Sequence, residues 1–160
     1  MFTPEERDRL RSDLLESAAT DRRITGAAIT GSAALAREDR WSDIDLAFGV
    51  GDADELPSIL ADWTVRMYQQ HGALHHVDVV SGVWLYRVFL LPSTLQVDLA
   101  FAPATEFGAL APTFRLILGK AIESRHVPPP PPAKIIGMAW LFALHARTCI
   151  ARQKIGRAHV

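Results

Sequence analysis

Three β-prone runs, Leu74 to Val80, Val83 to Leu91 and Leu95 to Phe101, follow one another, with Ser81-Gly82 and Pro92-Ser93 lying between them. Gaps that short, made of turn-forming residues, are expected to join the runs as hairpins. The chain before them alternates instead. Thr3-Pro4-Glu5-Glu6 opens a helix with a capping residue, a first-turn proline and the glutamate of a capping box. Leu10, Leu14 and Ala18 then give it one apolar face to about residue 20. Ile24 to Thr30 reads as a strand ending at Gly31, Ala33 to Glu38 as a short helix, and Ile44 to Val50 as a second strand ended by Gly49 and Gly51. Asp52 to Gln70 is the clearest helix, with Leu56, Ile59, Leu60, Trp63, Met67 and Tyr68 at three- and four-residue steps. Helix, strand, helix, strand, helix and then a run of strands predicts an α+β fold. Its mixed β-sheet should have about five strands, flanked by helices mostly on one face.

Five consecutive prolines, residues 128 to 132, act as a stiff extended spacer. They separate a core of residues 1–127 from a helix-favouring region, residues 133–154, that is apolar nearly all round in its first half. Such a helix must bury itself against something: folding back over the sheet, self-association (a homodimer through this helix), or both are the readings open to it. The last six residues, Ile155 to Val160, match one reading frame of a common sequencing adapter. The expectation is a non-native tail on a helical region that continues past Gln153 in the natural chain.

With 17 basic and 18 acidic residues, the net charge of −1 is not that of a protein that coats nucleic acid. One cysteine, Cys149, allows no internal disulfide and fits a reducing compartment. The N-terminus lacks the basic start and apolar run of a signal peptide. The most apolar stretch, Ile135 to Leu144, is too short to cross a bilayer. A cytoplasmic location with no membrane partner is expected.

Chemistry concentrates between Thr30 and Phe48. Residues two apart on a strand share a face, so Asp43 and Asp45 place two carboxylates side by side while Ile44 and Leu46 enter the core. Paired carboxylates repel unless a cation lies between them, and hard oxygen donors suit magnesium. A third acid, Asp98, sits in the apolar run Leu95 to Phe101, on the face opposite Val97 and Leu99. Three acids on one side of a sheet suffice to clamp two metal ions across a phosphoryl group. Gly31-Ser32, at the end of a strand and the start of a short helix, offers backbone amides and a hydroxyl to an anion. Arg37 or Arg40 is placed to neutralise a triphosphate.

Gly31-Ser32, Ser42-Asp43-Ile44-Asp45-Leu46 and Asp98, in this order and spacing, resemble the nucleotidyltransferase superfamily that includes DNA polymerase beta. The resemblance covers about residues 22 to 101. It looks closest to small bacterial members, both minimal nucleotidyltransferases and those that modify aminoglycoside-type antibiotics. It implies a mixed sheet flanked by helices and magnesium-dependent transfer of a nucleoside monophosphate to a hydroxyl acceptor, with AMP from ATP as the expected donor chemistry. On this resemblance Asp43 and Asp45 hold two Mg2+ ions and the triphosphate. Asp98 binds the catalytic ion and helps deprotonate the acceptor. Gly31, Ser32 and Arg37 contact the nucleotide. The minimal group often reads Gly-Ser-x-Ala-Arg-Gly, and this chain departs from it with Leu35 and Ala36 at the last two positions. The alternative reading is a catalytically silent nucleotide- or partner-binding module of the same fold, antitoxin-like.

Competing features carry less. Gly49-Val50-Gly51 has Asp54 where a dinucleotide-binding turn needs its third glycine. His75 and His76 are strand neighbours facing opposite ways, so they cannot chelate together. Asp78 reads as a solvated strand acid, and Trp63, Met67 and Tyr68 as core. Trp84 and Tyr86 read as cross-strand packing, the alternative being the border of a nucleobase. Glu106 and Glu123 are candidate general bases on charge alone.

Overall fold

In the computed structural model, which describes residues 1–123, 128 and 130–152, the capping box at Thr3 forms. The Thr3 N–H donates to Glu6 Oε2 at 2.7 Å, and the Glu6 N–H donates to Thr3 Oγ1 at 3.2 Å. From it runs helix α1 (Pro4–Thr20), followed by strand β1 (Ile24–Thr30), helix α2 (Gly31–Ala34) and strand β2 (Ile44–Val50). Helix α3 (Leu56–Gln70) precedes strands β3 (His75–Ser81), β4 (Trp84–Leu90), β5 (Gln96–Pro103) and β6 (Phe114–Gly119). The chain divides into two units, Met1–His126 and Val127–Val160, and helix α4 (Pro132–Ala151) belongs to the second.

The six strands form one mixed sheet in the order β3-β4-β5-β2-β1-β6. Every pairing is antiparallel except β2 with β5. The expected hairpins stand at both turns, and Gly82 takes the left-handed conformation, φ 61°, that a tight turn demands.

The sheet's two faces differ in side-chain size. Toward α1 and α3 point Ile44, Leu46, Phe48 and Val50 of β2 and Val97, Leu99 and Phe101 of β5, all buried. Phe48, Trp63 and Phe101 form an aromatic cluster there, with centroids 4.7, 5.4 and 6.1 Å apart. Each such side chain contributes roughly 1.5–3 kcal/mol by leaving water, so this layer fixes the strand register. Toward the other face β2 presents Asp45, Ala47 and Gly49, and β5 presents Asp98, Ala100 and Ala102. The ring of Phe107 packs there over Gly26 and Gly49, where an added Cβ would approach it to 2.6 and 2.9 Å. Gly49 is therefore small to admit that ring.

Several expectations are corrected. Strand β6 was not foreseen: it pairs with β1 far back in the chain, and its edge leaves Leu116 and Ile117 exposed, so no local periodicity marks it. Helix α2 is a single turn, shorter than the expected Ala33 to Glu38. A 3-10 turn, Ala53–Glu55, capped by the Asp52 side chain, precedes α3 instead of one continuous helix from Asp52. Tyr68 is 38% exposed at the rim rather than in the core, its hydroxyl 3.0 Å from His76 Nδ1.

In the second unit Pro131 is extended (φ −54°, ψ 137°), and Pro132 opens α4 rather than ending a spacer. A first-turn proline loses no helical hydrogen bond, so the helix can start there. At 20 residues α4 is long and apolar enough, by length and composition, to cross a membrane. That exceeds the ten-residue apolar stretch visible in the sequence. The proposed tail at 155–160 lies outside the described residues.

Candidate active site

The parallel pairing of β2 with β5 decides which side chains meet. It puts Ile44 opposite Val97 and Asp45 opposite Asp98, so both acids stand at the starting ends of adjacent strands. Strand β1 runs antiparallel to β2 and ends at that same edge, delivering Gly31. Gly31 has φ 62°, and a Cβ there would overlap the Asp45 carboxylate. Two independent constraints therefore demand glycine: a left-handed backbone and the close approach of Asp45.

Asp43, Asp45 and Asp98 are all half-buried. Burial, reinforced by the charges of Asp43 and Asp98, pushes the Asp45 carboxyl up to about 7. Its hydrogen bond with Asp43 and the Glu38 charge add to the rise. Burial and Asp43 push Asp98 up to about 6. Asp98 Oδ1 is buried with no hydrogen-bond partner. Acids so placed are expensive to ionise together and gain from a shared proton or a hard cation.

The donor set thus fits a divalent cation in chemistry, and the orphaned Asp98 oxygen has no competing protein partner. It is not a finished coordination shell: among the described residues no group of three or more His, Cys, Asp or Glu is arranged to hold a metal ion.

The other expected residues separate into two groups. Ser32 lies in α2 beside Gly31, and its carbonyl accepts from the Arg37 N–H at 3.0 Å, so Arg37 sits at the exit of this turn. The Arg37 side chain is exposed. Arg40 is taken up by Trp41, its guanidinium 4.5 Å from the ring centroid. Asp78 is on the helix-facing side, gripped by Arg87 at 2.6 and 2.7 Å, and Arg87 also donates to Thr64 Oγ1 at 2.7 Å. That ion pair holds the Asp78 carboxyl below the usual range and keeps it out of the acid cluster. Glu106 lies in the turn past the end of β5, about five residues of strand, roughly 16 Å, from Asp98. Glu123 is exposed after the isolated bridge of Gly108 with Ile122. Neither is among the charges that act on Asp45 or Asp98.

Arg7 went unrecognised in the sequence. It is 4% exposed, the buried charged residue on the α1 face that carries Leu10 and Leu14. Its NH1 donates to the carbonyls of Asp39 at 2.7 Å and Ser42 at 3.2 Å, and its Nε lies 3.2 Å from Glu38 Oε1. Arg11 reaches the same Glu38 oxygen at 2.6 Å. Together they hold the loop from α2 to β2, and Ser42 immediately precedes Asp43. The pattern was available: Arg7 stands three residues before Leu10, where an amphipathic helix places an apolar side chain.

No family model matches this sequence, and no curated protein matches it. Among solved structures the chain is similar to an aminoglycoside 6-adenyltransferase from Bacillus subtilis, with 14% identity and a TM-score of 0.48. That alignment covers 97% of this chain and 59% of the other, so the chain spans about three fifths of that protein's length.

Proposed function

We propose that this chain is a magnesium-dependent nucleotidyltransferase, moving a nucleoside monophosphate, AMP from ATP, to a hydroxyl of a small molecule or protein. The observation that carries the reading is the placement of Asp45 and Asp98 at the starting ends of two central strands, with Asp43 hydrogen-bonded to Asp45, against the Gly31 turn, and with Asp98 Oδ1 buried and unpartnered.

Asp43 and Asp45 are the residues that would hold Mg2+ with the triphosphate, and Asp98 would share the ion nearer the acceptor. When bound, the metal supplies charge neutralisation for the phosphates and the developing alkoxide. Gly31 and Ser32 present the turn that the phosphates would approach, with Arg37 at its exit. Asp98, raised to about 6, remains largely ionised at neutral pH and is able to accept the acceptor hydroxyl's proton. The bond formed joins the acceptor oxygen to the α-phosphorus, and pyrophosphate leaves.

The competing reading, a silent binding module of the same fold, draws on the absence of a finished metal shell among the described residues. Movement of label from ATP to a panel of acceptors separates the two, and calorimetry with ATP tests the metal-bridged triphosphate. The transferase reading expects Mg2+ to tighten ATP binding at least tenfold over EDTA, and Asp45→Asn to remove that gain. Equal affinity with and without Mg2+ contradicts it.

A further inference from the structure

The face of the sheet that carries the acids has an unusual composition beyond them. A sheet face open to water is normally polar, and a covered one is lined by large apolar side chains. Here the positions after each acid are small: Ala47 follows Asp45, and Ala100 follows Asp98, each two residues along its strand. They are 1% and 6% exposed, and they floor a cleft of about 200 Å³. Trp84 and Tyr86 of β4 make one wall, their rings 28° from parallel with centroids 6.1 Å apart. Phe114 and Leu110 line it from the β6 side, and Thr30 and Gly31 bound it at the end of β1.

Three features restrict its occupant. The volume is below the roughly 300–1,000 Å³ of pockets that engulf drug-sized ligands, so it suits one ring system. The walls are aromatic faces and the floor is methyl groups, which favours a flat apolar surface over a sugar. Among the described residues, none that lines the cleft is charged, so a polycation finds no counter-charge inside it. The cleft floor begins about 7 Å along the strands from the acid-bearing positions. Burial and the Asp98 charge also push the Tyr86 phenol up, which places Tyr86 within electrostatic reach of that acid.

We propose that this cleft binds a flat aromatic ring between the Trp84–Tyr86 wall and the Phe114 side, presenting the ring's substituents to Asp98 and Gly31. The ring-binding claim stands on the cleft alone. Only its assignment to the donor's nucleobase or to an aromatic acceptor rests on the transferase reading.

The test is calorimetry on the full chain in EDTA, titrating adenosine, 2-phenylethanol and a polycationic aminosugar in separate runs. Variants are Tyr86→Ala, which removes half of one wall, and Ala100→Leu, which fills the floor. Thr113→Trp at the half-exposed rim serves where Ala100→Leu fails to fold, as judged by circular dichroism. Saturable binding of either aromatic, weakened at least tenfold in Tyr86→Ala and in a folded filling variant, supports the proposal. Adenosine alone assigns the cleft to the donor base, phenylethanol alone to an acceptor, and binding of both to the ring itself. No saturable binding of either aromatic, binding unchanged in the folded variants, or aminosugar binding lost in those same variants overturns it. Because Mg2+ is absent, these outcomes do not depend on nucleotidyl transfer.

Discussion

At the residue scale, the three acids conflict with stability unless a cation joins them. Asp45 holds its proton up to about 7 when folded against an ordinary 3.8, with Asp43, Asp98 and Glu38 as the charges facing it. Between those values the folded state binds more protons than the unfolded chain, so metal-free stability falls as pH rises through that window. Asp45→Asn is expected to stabilise the metal-free protein at pH 8 by about 1–2 kcal/mol, with little change at pH 4, while abolishing transfer. Thermal melts in EDTA at the two pH values check it, and an equal effect at both would contradict the repulsion. Ala36 is a second conflict. It sits at φ 53°, at the position where the minimal nucleotidyltransferases often carry glycine. The left-handed backbone costs a Cβ-bearing residue roughly 1–2 kcal/mol, partly offset by glycine's larger unfolded entropy. Ala36→Gly should therefore raise the urea midpoint by the equivalent of about 0.5–1 kcal/mol. Gly31→Ala, which combines a left-handed φ of 62° with overlap on Asp45, should lower it and remove activity.

Elements place those residues, and they differ in how far the sequence reveals them. The strands β2 and β5 were legible because Ile44, Leu46 and Phe48, and Val97, Leu99 and Phe101, alternate with residues that cannot share their face. That alternation also revealed which side the acids take. The pairing of β2 with β5 was not legible, since parallel neighbours distant in sequence leave no turn to mark them. Strand β6 was invisible because its antiparallel partner β1 lies far back in the chain, and the carbonyl partners of Arg7, at Asp39 and Ser42, because only its place on the apolar face of α1, and nothing in the loop, marks it. The clamp on the loop before Asp43 is the element-scale prediction. Arg7→Met leaves the Asp39 and Ser42 carbonyls without their buried donor and removes a charge lying 3.2 Å from Glu38, and should cost about 3 kcal/mol in equilibrium unfolding. Arg11→Met, more exposed and making fewer of these contacts, should cost less than half as much.

On the scale of the whole molecule, two units present separate demands. The first has its own core between the sheet and helices α1 and α3. In the second, Ile135, Ile136, Trp140, Leu141, Phe142 and Leu144 ride on α4 with no second described element in that unit to cover them. Each is worth roughly 1.5–3 kcal/mol when buried, enough to drive association. Light scattering is expected to find the 160-residue chain as a dimer or larger, and Ile136→Glu with Trp140→Glu should shift it toward monomer. A monomer before substitution would contradict self-association through α4. The central claim concerns the first unit, and the direct measurement is movement of label from α-phosphate-labelled ATP and the other nucleoside triphosphates to a panel of hydroxyl acceptors, protein included. Transfer is predicted with Mg2+, absent in EDTA and lost in Asp45→Asn and Asp98→Asn. No transfer from any triphosphate, or undiminished transfer in either variant, would contradict the account.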